Sequence, residues 1–432
     1  MHDSERLRHD EALAILRRAA RTLVGAESVP LFEAAGRIIA APITASSPVP
    51  AHTNAAVDGY AFSHADLAAE GSSVLQIAGR AAAGRPFQAA LAGGPSGSHA
   101  AHHQQRAPAV RIFTGAALPT TCDTVVMQED VTVRADPSNA NVRLVEVPAG
   151  LRHGANVRQA GEDVAAGAVL FETGATLRPQ DLAGLASIGV AEPTCFKRLN
   201  VAVVSTGDEV VRPGAPLAFG QVYDANAPML QALIASTGAH AVDAGVLPDD
   251  PVALKDRLLA LAQTYDGVIT SGGASRGEED HLITVLDEIG ERHLWQLAVK
   301  PGRPMTFGRI GRVPMIGLPG NPVAVFVCFL LYVAPLLRAL QGAPWHEPRR
   351  EWLTADFAMT GRKTGRREFW RGHVEGTGEA TRVRKFERDG SGLISGLRAA
   401  DGLIEIPEEH GDVAPGDQVA FIPFSAFGLA YR

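Results

Sequence analysis

Three stretches decide how this chain is read: VAVVSTGDE at 201–209, AVDAGVLPDD at 241–250 and DGVITSGG at 266–273. Each is a β-branched apolar run ending in Gly, Ser or Asp, and helical patterns at 227–237 and 251–263 lie between them. Strand and helix in alternation mark a parallel sheet with crossover helices. In such sheets ligands bind outside the carboxyl ends of the strands. Here every end carries acids: Asp208 and Glu209, then Asp249 and Asp250, then Asp280 beyond a glycine-rich loop. Converging carboxylates repel one another unless a cation intervenes. Glu209, Asp249 and Asp280 are therefore expected around a hard divalent ion, Mg²⁺ first, with Asp208 shaping its turn. The competing explanation is that such acids only cap helices, and Asp249 or Asp250 before Pro251 fits that role.

The loop after the third strand, Gly272-Gly273-Ala274-Ser275-Arg276-Gly277, is a candidate phosphate cradle, because glycines let backbone N–H groups face an anion. Ser205, Thr206 and Gly207 form the matching end of the first strand. Lys300-Pro301-Gly302-Arg303-Pro304 sets two cations on a proline-stiffened turn, suited to oxyanions, or else forms a solvated surface turn. Pro319-Gly320-Asn321-Pro322 precedes an apolar helix at 323–337, with Asn321 placed as N-cap and Pro322 as first helical residue. That helix start is expected to offer free N–H groups to a ligand.

Around this centre, 10–24 repeats apolar residues at helical spacing, with Asp10 at the N-cap position and Gly25 after the last turn. Short strands are expected at 60–62, 74–77, 109–113, 124–128 and 142–147, a small β domain. Residues 89–105 (AALAGGPSGSHAAHHQQ) read as a surface insertion with incidental histidines. A strand at 168–171 and a helix from near Pro179 follow, and 350–432 returns to strand-like runs between Gly turns. The chain has 432 residues, enough for two to four domains. Its net charge of −7 disfavours non-specific nucleic-acid binding. Cys122, Cys195 and Cys328 share no ligand spacing and read as reduced core residues. The charged N-terminus lacks a secretory apolar run. The 323–337 run falls short of the ~20 residues of a membrane span, so no membrane association and a cytoplasmic location are expected.

Taken with 54–61 (NAAVDGYA), 111–116 (RIFTGA), 125–129 (VVMQE) and 161–163 (GED), the motifs at 205–209, 271–273, 300–302 and 318–322 resemble the MoeA family in the right order. These are the molybdopterin molybdenumtransferases, which include the catalytic domain of gephyrin. The resemblance implies a multi-domain α/β plus β protein. It comprises a parallel-sheet (MogA/MoaB-like) α/β domain at 198–343, small β domains at 52–152 and 344–432, the latter barrel-like, and an elongated segmental domain at 1–51 and 153–197. It implies a homodimer with a composite active site, a transient contact with the adenylyltransferase of the pathway, and Mg²⁺-dependent insertion of molybdate into adenylylated molybdopterin with release of AMP. By motif it assigns Asp58, Thr114, Asp163, Lys300, Arg371 and Ser391 to catalysis, with Arg303 beside Lys300.

Four positions depart from the family pattern, among them Arg303, a planar fork where lysine is frequent. Ala55 and Val57 replace Ser and Met, and Gln296 stands where lysine is common, removing one cation. Two other readings remain open: a non-catalytic molybdopterin-binding scaffold, and the adenylyltransferase itself. Retention of Asp58, Glu209, Asp249 and Asp280 speaks against the first. The long additional chain speaks against the second.

Overall fold

The structure, a computed structural model, describes residues 6–88, 106–273 and 281–429. The 89–105 insertion and Ser275, Gly277 and Asp280 lie outside the described residues. Two compact units form: Met1–Ala41, Thr173–Arg178 and Glu192–Arg432 in the first, and Pro42–Glu172 with Pro179–Ala191 in the second.

The first unit holds a six-stranded sheet. In chain order its strands are β1 (Asn200–Thr206), β2 (His240–Leu247), β3 (Gly267–Ser271) and β4 (Glu291–Trp295), followed, after the short β5 (Val299–Lys300), by β6 (Thr306–Ile310) and β7 (Val313–Leu318). Their order across the sheet is β2-β1-β3-β7-β6-β4. The first four in that order are parallel, β6 runs antiparallel to β7, and β4 pairs antiparallel with β6. The sheet is thus mixed, and the three strands read from the sequence, β1, β2 and β3, pair in parallel as expected. Both faces of β1 are buried, as a parallel strand requires. Val201 and Val203 join one core with the helices His9–Ala19 (α1), Asn226–Ser236 (α2) and Pro322–Leu340 (α5). Ala202 and Val204 join another with Pro251–Thr264 (α3) and Leu282–Ile289 (α4).

Helix α1 begins at His9 with Arg8 at the N-cap, so Asp10 lies in the first turn, and it ends at Ala19, well before Gly25. Helix α5 is 19 residues long, long and apolar enough by length and composition to cross a membrane, which corrects the expectation that its run falls short. Of its most apolar 18-residue window, 89% is buried within the structure, as in a core helix. Its middle, Phe329–Val333, is a π-helical turn. Beyond it, β8 (Glu351–Ala355), β9 (Arg367–Glu375), β10 (Arg382–Lys385), β11 (Gly402–Ile406) and β12 (Gln418–Pro423) pair in the order β9-β10-β8-β12-β11, and β11 pairs back onto β9. This closes a small barrel and leaves it no free edge. The short β5 adds to β9 from outside and brings Lys300 opposite Glu368.

The second unit is built on a six-stranded sheet that includes Gly59–Phe62, Ser73–Ala81, Pro108–Ile112, Thr124–Met127 and Asn139–Val147, where strands are expected from the sequence, together with Thr132–Asp136. Cys195 and Cys328 are buried, but Cys122 is only half-buried, which corrects its reading as a core residue.

Candidate active site: two joined cavities

The order β2-β1-β3 places a topological switch between β1 and β3, where Ser205 lies in register with Ser271. A cavity of about 630 Å³ opens at these strand ends, lined by Ser205, Thr206, Gly207, Glu209, Asp249, Gly272, Gly273, Pro319, Gly320, Asn321 and Pro322 among others. Gly272, at φ +98°, packs so tightly that a Cβ there would lie 2.7 Å from both the carbonyl oxygen and Oγ1 of Thr206. Its N–H donates to the Leu318 carbonyl at 3.1 Å, so this one N–H is not free to face an anion.

The acids divide by role. Asp250 is a helix cap: its carboxylate accepts from the Ala253 N–H at 2.7 Å, with Pro251 in the first helical turn. Asp208 does more than shape its own turn. Its Oδ1 accepts from the Asp249 N–H at 3.3 Å while Asp249 Oδ2 accepts from the Asp208 N–H at 3.4 Å, tying the first two strand-end loops together. Glu209 and Asp249 face the cavity. Among the described residues no three acids, histidines or cysteines form a metal-holding group, and Asp280 lies outside them.

The floor of this cavity is set by residues the sequence reading did not single out. Asp224 is buried, with 4% of its surface exposed. It accepts hydrogen bonds from Ser205 Oγ at 2.5 Å, Arg212 at 2.6 Å, and the N–H groups of Asn226 and Ala227 at the start of α2. Asn226 donates to Ser271 Oγ and to the Gly320 carbonyl, each at 2.7 Å, linking α2, β3 and the turn before α5. The Asn226 Oδ1 and Thr206 Oγ1 atoms are buried with no partner. A usable signal was present: the run Asp224-Ala225-Asn226 directly before an apolar helix is a capping pattern.

A second cavity, of about 330 Å³, adjoins the first and shares Pro304, Pro319 and Asn321 with it. Its walls carry Lys300, Arg303, Arg366, Arg371, Lys385 and Arg6, with Asp389 and Ser391. The buried Glu368 carboxylate accepts from Trp370 Nε1 at 3.0 Å and Arg366 Nε at 3.1 Å, and lies 3.7 Å from Lys300 Nζ. Lys300 is therefore fixed by a strand register and an ion pair, which rules out a free surface turn. Arg371 donates to the carbonyls of Leu393 at 3.0 Å and Arg388 at 2.5 Å and stacks on Phe386. Burial lowers its pKa. Gly302 must be glycine, since a Cβ would lie 2.3 Å from Cys328 Sγ. Burial pushes that thiol up to about 12, leaving it inert.

The start of α5 departs from expectation. Asn321 occupies the N-cap position without a side-chain capping bond, Pro322 has no N–H, and the Val323 N–H donates to the Ser391 carbonyl at 3.0 Å. The helix end is thus held by the barrel loop, and neither its first nor its second residue offers a donor to a ligand.

Three site candidates lie in the second unit. Asp58 Oδ1 accepts from both the N–H and the hydroxyl of Thr114, each at 2.8 Å. Those two bonds, with the charge of Arg111, hold the Asp58 carboxyl below the usual carboxylate range. Asp163 is exposed, and its N–H donates to the Val49 carbonyl at 3.0 Å.

Residues 7–189 match the MoeA N-terminal region (domain I and II), 202–339 a probable molybdopterin binding domain, and 358–424 the MoeA C-terminal region (domain IV). Fold and site thus define a molybdopterin-binding transferase of molybdenum cofactor biosynthesis. A molybdopterin molybdenumtransferase of Haemophilus influenzae is 38% identical over 92% of this chain and 94% of its own. Molybdopterin molybdenumtransferase 2 of Mycobacterium tuberculosis is 31% identical over 95% of this chain and 97% of its own. A crystal structure of the molybdopterin biosynthesis MoeA protein of Pyrococcus horikoshii matches with TM-score 0.77 and 29% identity, over 97% of this chain and 99% of that one. The chain belongs to the MoeA family, the molybdopterin molybdenumtransferases.

Proposed function

We propose that this enzyme inserts molybdate into the dithiolene of adenylylated molybdopterin and releases AMP, in a reaction that requires Mg²⁺. The observation that carries the reading is the junction of two chemically opposed cavities through Pro304, Pro319 and Asn321. One offers the Glu209 and Asp249 carboxylates; the other offers an excess of cations.

In this reading the strand-end cleft takes the adenylylated pterin. Ser205, Thr206, Gly207 and Asn226 line the cleft that receives it. Glu209 and Asp249 are hard oxygen donors on one wall and suit Mg²⁺, with Asp280 as the third. Bound Mg²⁺ supplies charge neutralisation at the phosphoanhydride. Lys300, Arg303 and Arg371 hold the molybdate dianion, and the Ser391 hydroxyl contributes a further donor. Asp58, kept ionised by Thr114, and Asp163 complete the site from the partner subunit of a homodimer. The same reading divides the chain into the four domains expected from its sequence, places the enzyme in the cytoplasm, and allows a passing contact with the adenylyltransferase that supplies its substrate.

Full-length protein incubated with adenylylated molybdopterin, molybdate and Mg²⁺ should release AMP, and omission of either ion should stop it. Tight pterin binding without any AMP would overturn the reading in favour of a scaffold. Consumption of ATP with unadenylylated molybdopterin would overturn it in favour of the adenylyltransferase.

A further inference from the structure

The basic cavity contains one feature that an anion-binding pocket does not need. Asp389 stands in its wall among the cations. Its carboxylate is hydrogen-bonded to Lys385 Nζ four residues earlier. The Lys385 side chain is largely buried, 13% exposed, and lies over the Trp370 ring. Among the described residues Asp389 is the only acid paired with it. Lys300 and Arg371 also act on the Asp389 carboxylate through their charges. Glu368 already answers Lys300 and Arg366 from below, whereas Asp389 faces the cavity itself.

We propose that Asp389 is a resident counter-ion of this cavity: it satisfies Lys385 while no oxyanion is bound, gives way when one arrives, and thereby sets how strongly the pocket takes doubly charged tetrahedral anions. The inference rests on the reading of the cavity as the oxyanion site. Two like charges in one pocket repel, and the repulsion scales with the charge of the incoming ion. Asp389 therefore weakens binding of a dianion more than binding of a monoanion of the same shape. The loop can accommodate the exchange. Asp389 is exposed and followed by Gly390, while the loop is anchored through its backbone carbonyls, those of Arg388 and Leu393 accepting from the Arg371 guanidinium and that of Ser391 from the Val323 N–H. Moving the Asp389 side chain leaves those bonds in place.

The test compares molybdate, a tetrahedral dianion, with perrhenate, a tetrahedral monoanion, by titration calorimetry on full-length wild type and Asp389→Asn, with thermal unfolding as the check on folding. Asp389→Asn should bind molybdate about tenfold more tightly and perrhenate about threefold more tightly, since halving the ligand charge halves the energy gained. Lys385→Ala, which removes a cation and frees Asp389, should weaken molybdate binding. A structural role in pinning the loop predicts instead that Asp389→Asn weakens both anions alike. That outcome, an unchanged affinity, or equal gains for the two anions would overturn the proposal. If wild type binds no molybdate and Asp389→Asn binds none either, the oxyanion reading of the cavity falls, and this inference falls with it.

Discussion

The two cavities share a wall but are made by different means. The strand-end cleft is shaped by backbone: its floor is β1 and β3 in register, Gly272 pressed onto Thr206, and Asp224 drawing Ser205, Arg212 and the start of α2 together. The basic cavity is shaped by side-chain charge, with cations from β5, β9 and β10 set around Glu368 and Asp389. A cleft fixed by buried hydrogen bonds loses its shape when one bond is cut. A pocket fixed by distributed charge loses affinity in steps. The two therefore differ in how each responds to damage, and substitutions can separate them.

The largest effect is expected from Asp224→Ala, which leaves Ser205 and two N–H groups at the start of α2 unanswered in a buried setting. Urea unfolding should show a loss of about 3 kcal/mol, and a loss under 1 kcal/mol would show that the cleft does not depend on this residue. Next, Glu209→Gln should lower the rate of AMP release by about 10²–10³-fold without changing unfolding, because its carboxylate faces the cavity and takes part in no hydrogen bond or ion pair among the described residues. Lys300→Ala should raise the KM for molybdate by about 10–100-fold, the value of one charge-assisted contact, and leave the KM for adenylylated molybdopterin unchanged. Equal shifts in both constants would mean that the cavities do not divide the substrates as described.

The smallest effect concerns the region behind the basic cavity. His9 packs its ring against Phe369 of the cavity wall and is hydrogen-bonded through Nδ1 to the Tyr332 hydroxyl at 2.7 Å. Burial, with Arg367 and Arg350 nearby, pushes its pKa down from 6.5 to about 3. Above pH 6.5 the imidazole is neutral in folded and unfolded chains alike, so stability is unaffected. Below that, the unfolded chain gains a proton that the folded one does not, and stability should fall by about 1.4 kcal/mol per pH unit. Unfolding measured from pH 6.5 to 5 should show this slope in wild type and lose it in His9→Gln.

Much of this molecule is legible in its sequence. The runs at 201–209 and 266–273 became β1 and β3, because a buried parallel strand is continuously apolar and its polar end marks where it stops, and the run at 241–250 became β2, the partly exposed edge strand. Asp250 is likewise readable from the proline that follows it. The antiparallel edge is not, since ERHLW at 291–295 has no clear alternation and only Leu294 is buried. Asp224 is readable as a cap of α2 but not as a partner of Ser205, because that contact forms only when the excursion through Val210–Val211 and Val222–Tyr223 folds back on itself. Arg366, Lys385 and Asp389 depend on how β9 and β10 pair and on β5 meeting β9, and no local pattern encodes these long-range registers.

The bond from the Val323 N–H to the Ser391 carbonyl has an evolutionary consequence. It joins the core helix to the barrel loop through main-chain atoms alone, so no side-chain replacement at Ser391 can delete it. Asp389 and Ser391 can then be exchanged through selection while the loop keeps its position. The ion preference of such an enzyme can drift between lineages without a new fold, since the pocket's walls are inherited and only their lining is rewritten.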